Sequence, residues 1–308
     1  LSTVSSACDP AKASTFVISI TPFGEDGAFD EAAIRSHLRR LANSGIGVYL
    51  GGGGSGEGYV LTDAETQRLL EIGVEEIKGK VPVRSMGIEP RTAQEMIDFV
   101  SMAKKSGIDA TQIYSLDQGH GHLPTAKEIR TYFEDVLSAI DVPAIISTHK
   151  SVGYQVPVEM LVDLVERYDV IGINCSHPDM RYLARIVDAV GNDVEVHVGG
   201  PYDALTAWCL GATGYLSSEG NFAPELCMSV VRAYQAGDGI ALTVNFGKLL
   251  RIAAAFRSAG GIRATKSVLT RLGLAGGTVR KPQLGISPEA VDELIALAES
   301  LDVLPFPT

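Results

Sequence analysis

Eight short runs rich in Val, Ile and Tyr, each followed by a segment of helical period, constrain this chain more than any other feature. The runs are Phe16–Ile20, Gly47–Leu50, Val81–Met86, Ala110–Tyr114, Pro143–Ser147, Val170–Asn174, Val194–Val198 and Gly214–Ser217. Strands that alternate with helices pair in parallel, because each helix carries the chain back to the starting edge of the sheet. Eight such units favour an α/β fold of the closed (β/α)8 TIM barrel type over an open sheet. Helix starts are marked at Thr62-Asp63-Ala64-Glu65, Thr92-Ala93-Gln94-Glu95 and Thr125-Ala126-Lys127-Glu128. In each box the threonine oxygen and the later glutamate satisfy backbone amides that a helix leaves unpaired. Ser287-Pro288 opens a last helix through Leu301, with proline at the first helical position.

The residues after the eighth run keep a helical pattern, and no linker of Gly, Ser or Pro composition precedes them, so they read as a C-terminal helical appendage. The expected organisation is an N-terminal extension over residues 1–15, with its small polar stretch outside the core, then a barrel over 16–237 and C-terminal helices over 238–308 packed on it. A formal charge of −11 argues against nucleic acid or an acidic membrane as partner, since those need clustered Lys and Arg, and favours a small-molecule substrate. Cys8, Cys175, Cys209 and Cys227 have no CxxC spacing, which points to buried or incidental thiols. No uncharged run approaches about 18 apolar residues, and no basic-led apolar segment opens the chain, so a soluble cytoplasmic protein is expected.

A parallel barrel builds its active site at the C-terminal ends of its strands. There Gly53-Gly54-Ser55-Gly56-Glu57, followed by Leu61-Thr62, resembles the loop after the second strand in the class I aldolase and dehydratase family of dihydrodipicolinate synthase and N-acetylneuraminate lyase. Thr21-Pro22-Phe23 with Asp26-Gly27, Gly211-Ala212-Thr213-Gly214, Asn221-Phe222-Ala223-Pro224-Glu225, Lys266, Leu272-Gly273-Leu274 and Val279-Arg280-Lys281-Pro282 extend the resemblance over residues 16–303. It implies the barrel, a keto-acid carboxylate held at Gly54, Ser55 and Glu57, no cofactor, and a homotetramer built as a dimer of dimers. Where the family ends its sixth strand in a Schiff-base lysine, this chain has Asn174. Ser147 stands at the position of the proton-relay tyrosine, and Lys150 is an approximate stand-in for the carboxylate-pairing arginine. Leu116-Asp117-Gln118-Gly119-His120-Gly121-His122 replaces the loop whose tyrosine enters the neighbouring subunit.

All the histidines but His37 map to the active-site side: His120 and His122 after the fourth strand, His149 after the fifth, His177 after the sixth and His197 on the seventh. Period-two alternation puts Ser147, His149 and Asn174 on the lumen parity. Imidazoles there suit acid–base work, and an Asn174 amide suits an enolate oxygen. The expected catalytic set is Asn174, Ser147, His149, His197 and His120, with Gly54, Ser55, Glu57, Lys150, His177 and Glu219 binding substrate. No metal is assigned, because no HxH or HExxH pair lies on one strand or helix. The leading function is a lyase-like enzyme on a small carbonyl or keto-acid substrate, working without a lysine adduct. Two others stand beside it: a catalytically retired barrel that senses or scaffolds, and a metal-dependent lyase or hydrolase that draws on rim histidines with Glu57 or Glu219.

Overall fold

The computed structural model describes residues 7–176, 179–191 and 193–304, with Lys150 by its backbone alone. Its strands are β1 (Ser14–Ile18), β2 (Gly47–Leu50), β3 (Val83–Ser85), β4 (Ala110–Ile113), β5 (Ala144–His149), β6 (Val170–Ser176), β7 (Glu195–Gly199) and β8 (Gly214–Ser217). They follow one another in sequence order and close into a barrel, with helices between them and further helices after β8. The described registers are parallel, as the alternation of strand and helix requires.

Two boundaries move in ways that matter. β1 begins at Ser14, whose N–H donates to the Thr213 carbonyl at 2.9 Å. Cys8 and Ala13, expected outside the core, are each 4% exposed, and the Cys8 N–H donates to the Trp208 carbonyl. Small size had made that stretch read as solvent-facing, and small size also lets it pack. β5 and β6 continue past Ser147 and Asn174, because Thr148 pairs with Cys175 and His149 with Ser176. His149 is therefore the last residue of a strand and not part of the following turn. A bulge opposite Ala144 and Ile145 leaves Ile171 out of register and sets the parity of Gly172, Asn174 and Ser176.

The capping boxes at Thr62 and Thr125 form completely. At Thr92 the hydroxyl accepts from the Glu95 N–H, but the Glu95 carboxylate takes the N–H of Arg91 instead. The same carboxylate thus closes the helix start one residue further out.

The chain divides into two compact units, one of Arg84–Leu216 with the segment before Thr15, the other of Thr15–Val83 with Ser217 onward. In the first, Arg84 on β3 and Glu195 on β7 form an ion pair at 2.7 Å. In the second, Phe222, Ile252, Phe256, Val268 and Leu294 share one apolar cluster, with the Phe222 and Phe256 ring centroids 4.7 Å apart. The helix Gly239–Ser258 is long and apolar enough to cross a membrane, with mean hydropathy 1.3, yet Phe246, Leu249, Ile252, Ala253 and Phe256 are buried against protein. Asn221 ties the end of β1 to the turn after β8: its Oδ1 accepts from the Ile20 N–H, and its Nδ2 donates to the carbonyls of Ile18 and Ser218.

Candidate active site

In the first unit, β4, β5 and β6 carry the buried polar residues Gln112, Ser147, His149 and Asn174. Asn174 is 1% exposed, and its Nδ2 donates to Oε1 of Gln112 on β4 at 2.6 Å. The bond passes over β5, where Ser147 stands in register with Asn174 and Ile145 with Gln112. Alternate strands contributing to one layer is how a barrel interior fills. Ser147 is buried, and its carbonyl accepts from the Ser115 hydroxyl at 3.0 Å.

His149 is 7% exposed. Its Nδ1 faces the Ser151 hydroxyl, its Nε2 lies 3.4 Å from Glu89 Oε1, and the Tyr114 ring meets it edge-on at 6.0 Å. The Nε2 contact with Glu89 is electrostatic, off the line of a hydrogen bond. Burial pulls the imidazole below its usual range, while the Glu89 and Asp117 carboxylates push the other way. The lowered pKa favours the neutral imidazole at pH 7.

His197 sits beside Asn174 in register but is directed elsewhere. Its Nε2 shares a hydrogen bond with the Ser14 hydroxyl at 2.9 Å, and burial lowers its pKa to about 4. Gly214 makes that approach possible, since a Cβ there would lie 2.7 Å from the imidazole Cδ2 and 2.2 Å from the Ser14 carbonyl. His120 and His122 are exposed on their loop, with His120 in the left-handed region at φ 51°. His177 lies outside the described residues, as does the side chain of Lys150. Among the described residues, no three His, Cys, Asp or Glu side chains gather to hold a metal ion.

In the second unit, the loop from Gly51 to Gly58 folds back on itself. The Gly58 N–H donates to the Gly52 carbonyl at 3.0 Å, and the Thr21 hydroxyl donates to the Gly56 carbonyl at 2.8 Å. A Cβ at Gly58 would stand 2.2 Å from the Gly51 carbonyl, so this glycine is set by close approach. Gly54 is different: a Cβ there meets nothing within 4 Å, and its lack of a side chain is not imposed by packing. Ser55 is half-buried. Glu57, with φ 53°, is fully buried and forms an ion pair with Lys266, whose Nζ also donates to the Thr278 carbonyl at 2.7 Å. The carboxylate thus anchors the loop from within. Glu219 is held by its own turn, accepting from the Ser217 and Ser218 hydroxyls at 3.0 Å each.

Gln112, Glu89 and Ser151 were not singled out from the sequence. Gln112 does share the lumen parity of β4, which is the available signal; Glu89 lies in the loop after β3 and Ser151 in the one-turn 3-10 helix Lys150–Val152 after β5.

A closed parallel barrel with polar groups at its β5 and β6 ends belongs to the class of (β/α)8 barrels, in which sites are built on strand ends. The chain belongs to the dihydrodipicolinate synthetase family, whose model it matches over residues 11–301. It is 30% identical over 233 residues to the 4-hydroxy-tetrahydrodipicolinate synthase of Methanothermobacter thermautotrophicus, covering 73% of this chain and 80% of that one. To the enzyme of the same name from Hyphomonas neptunium it is 28% identical over 292 residues, 91% of this chain and 96% of the relative. Among solved structures, a dihydrodipicolinate synthase from Bacillus anthracis superposes with a TM-score of 0.85 at 22% identity, covering 96% of this chain and 99% of that chain. One from Cyanidioschyzon merolae with lysine bound gives 0.86 at 20%, with coverage of 95% and 99%.

Proposed function

We propose that the protein is a lyase of aldolase type that acts on a small 2-keto acid or its aldol by acid–base chemistry without a lysine adduct. The observation that carries this reading is the Asn174–Gln112 amide pair at the end of β6, where a Schiff-base enzyme needs an amine. Primary amides carry two N–H donors each. Locked together, they form a pre-oriented donor edge for the oxygen of a developing enolate, at no cost in reorganisation during reaction. His149, neutral and backed by Glu89, takes the proton from the aldol hydroxyl as the C–C bond breaks and returns a proton to the enolate carbon.

Borohydride with pyruvate is expected to leave the protein's mass unchanged, while a family member with the lysine gains the reduced adduct. A trapped adduct on Lys150 would overturn the reading. Absence of turnover for pyruvate with small aldehydes, together with a His149→Ala variant that binds keto acids normally, would favour the retired barrel. Assembly as a homotetramer belongs to the same proposal. Sedimentation velocity is expected to give a species of four chains, and a monomer would refute it.

A further inference from the structure

The imidazole of His149 lies between a hydroxyl and a carboxylate, neither of which the proposed lyase uses as a reacting group. His149 closes β5 and Ser151 is the middle residue of the one-turn 3-10 helix Lys150–Val152, so the chain's own turn brings the Ser151 hydroxyl onto Nδ1. Glu89, from the loop after β3, stands 3.4 Å from Nε2. Exposure is graded as a nucleophile requires, with the imidazole buried and Ser151 open to solvent. We propose that Ser151, His149 and Glu89 form an acyl-transfer centre in which Ser151 is the nucleophile and small carboxylic esters are the substrate class.

A hydroxyl on the imidazole Nδ1 and a carboxylate 3.4 Å from its Nε2, within ion-pair range though off the hydrogen-bond line, follow the order of an activated serine, which is recognised by roles and not by sequence position. With the hydroxyl donating to Nδ1, the ring proton is assigned to Nε2, facing Glu89, which stabilises the imidazolium as it forms. The charged groups acting on the ring are Glu89 and Asp117, and Asp117 is itself paired with Arg91 at 3.1 Å. In the reaction Ser151 Oγ bonds to the ester carbonyl carbon and its proton passes to Nδ1. The bond to the alkoxy oxygen then breaks, and the alcohol leaves with that proton. Water, deprotonated by the same Nδ1, cleaves the acyl-serine to the free acid and restores the hydroxyl. No redox change and no co-reactant other than water is involved.

The centre rests on the proposed lyase only in sharing His149, and it uses neither Asn174 nor Gln112. The test is a fluorophosphonate probe on the full chain, read by intact mass and peptide mapping, with 4-nitrophenyl acetate as acyl donor. One adduct is expected, on Ser151, formed as the Oγ–P bond replaces P–F and fluoride departs. Ser151→Ala should lose it, and His149→Gln should slow it by about 10²–10⁴-fold. Glu89→Gln should slow it less, with Glu89→Asp recovering part of the rate, and Ser258→Ala, at an exposed helix end, should label as the parent does. Circular dichroism confirms that each variant is folded. A folded protein that gains no adduct, an adduct elsewhere, or undiminished labelling in His149→Gln overturns the proposal. Labelling without keto-acid turnover would sink the lyase alone, and turnover without labelling would sink the acyl-transfer centre alone.

Discussion

Lys266→Met is expected to lower the unfolding free energy by about 3–5 kcal/mol, because it strands a buried carboxylate. The Lys266 and Glu57 side chains are each 1% exposed. Glu57 Oε1 has no hydrogen-bond partner and Oε2 accepts from Lys266 Nζ, so the ammonium is the main compensation for the buried carboxylate, with Arg280 acting on it more weakly. Burial lowers Lys266 from its ordinary 10.5 to about 8 and raises Glu57 above its ordinary 4.5, so for each residue desolvation outweighs the attraction of the pair. It follows that removing both charges costs far less than removing one. Glu57→Gln with Lys266→Met should recover at least half of the single variant's loss, and urea denaturation of the four proteins reads the coupling.

The pH dependence has a definite sign. Between pH 8 and 10.5 the unfolded chain holds a Lys266 proton that the native protein has released, so native stability rises with pH there, and Lys266→Met lacks that rise. Glu57 works in the opposite sense at acid pH: stability falls as pH rises from 4.5 through the raised native value. A single-variant loss under about 1 kcal/mol, or no coupling in the cycle, would show that the pair does not hold the loop.

The barrel was legible because periodicity is local: each run of Val and Ile reports its own burial, and each Thr-x-x-Glu box its own helix start. Errors arose where a distant partner decided the outcome. Thr148 and His149 extend β5 only because Cys175 and Ser176 lie alongside, and Ser14 joins β1 only because Thr213 accepts its N–H. The site divides in the same way. Asn174 stood out against the family pattern, whereas its partner Gln112 is 62 positions away and reads in isolation as an ordinary polar strand residue. Glu57 was visible as a loop carboxylate, but its commitment to Lys266, 209 positions on, needed the folded chain. Clustering histidines by strand number overestimated their convergence, since His197 turns to Ser14 and His120 faces solvent.

Asn174→Ala is expected to reduce kcat/KM for keto-acid turnover by about 10²–10³-fold, the usual loss when one oxyanion donor is removed. The effect should fall on kcat, because the amide is proposed to meet charge that exists only in the transition state. Gln112→Leu removes the acceptor that orients Asn174 Nδ2, so it should cut kcat more weakly and leave KM close to the parent value. Asn174→Lys separates position from chemistry. An ammonium placed where Asn174 is 1% exposed is desolvated toward the nucleophilic amine, and this variant should gain the borohydride-trapped pyruvate adduct that the parent lacks. Pyruvate turnover with a small aldehyde, measured beside intact mass after borohydride, decides among these outcomes. If Asn174→Ala keeps full turnover, the amide pair is a core contact and the enolate oxygen is held elsewhere. If Asn174→Lys is folded yet takes no adduct, the end of β6 does not face the substrate carbonyl, and a lyase centred on that strand is wrong.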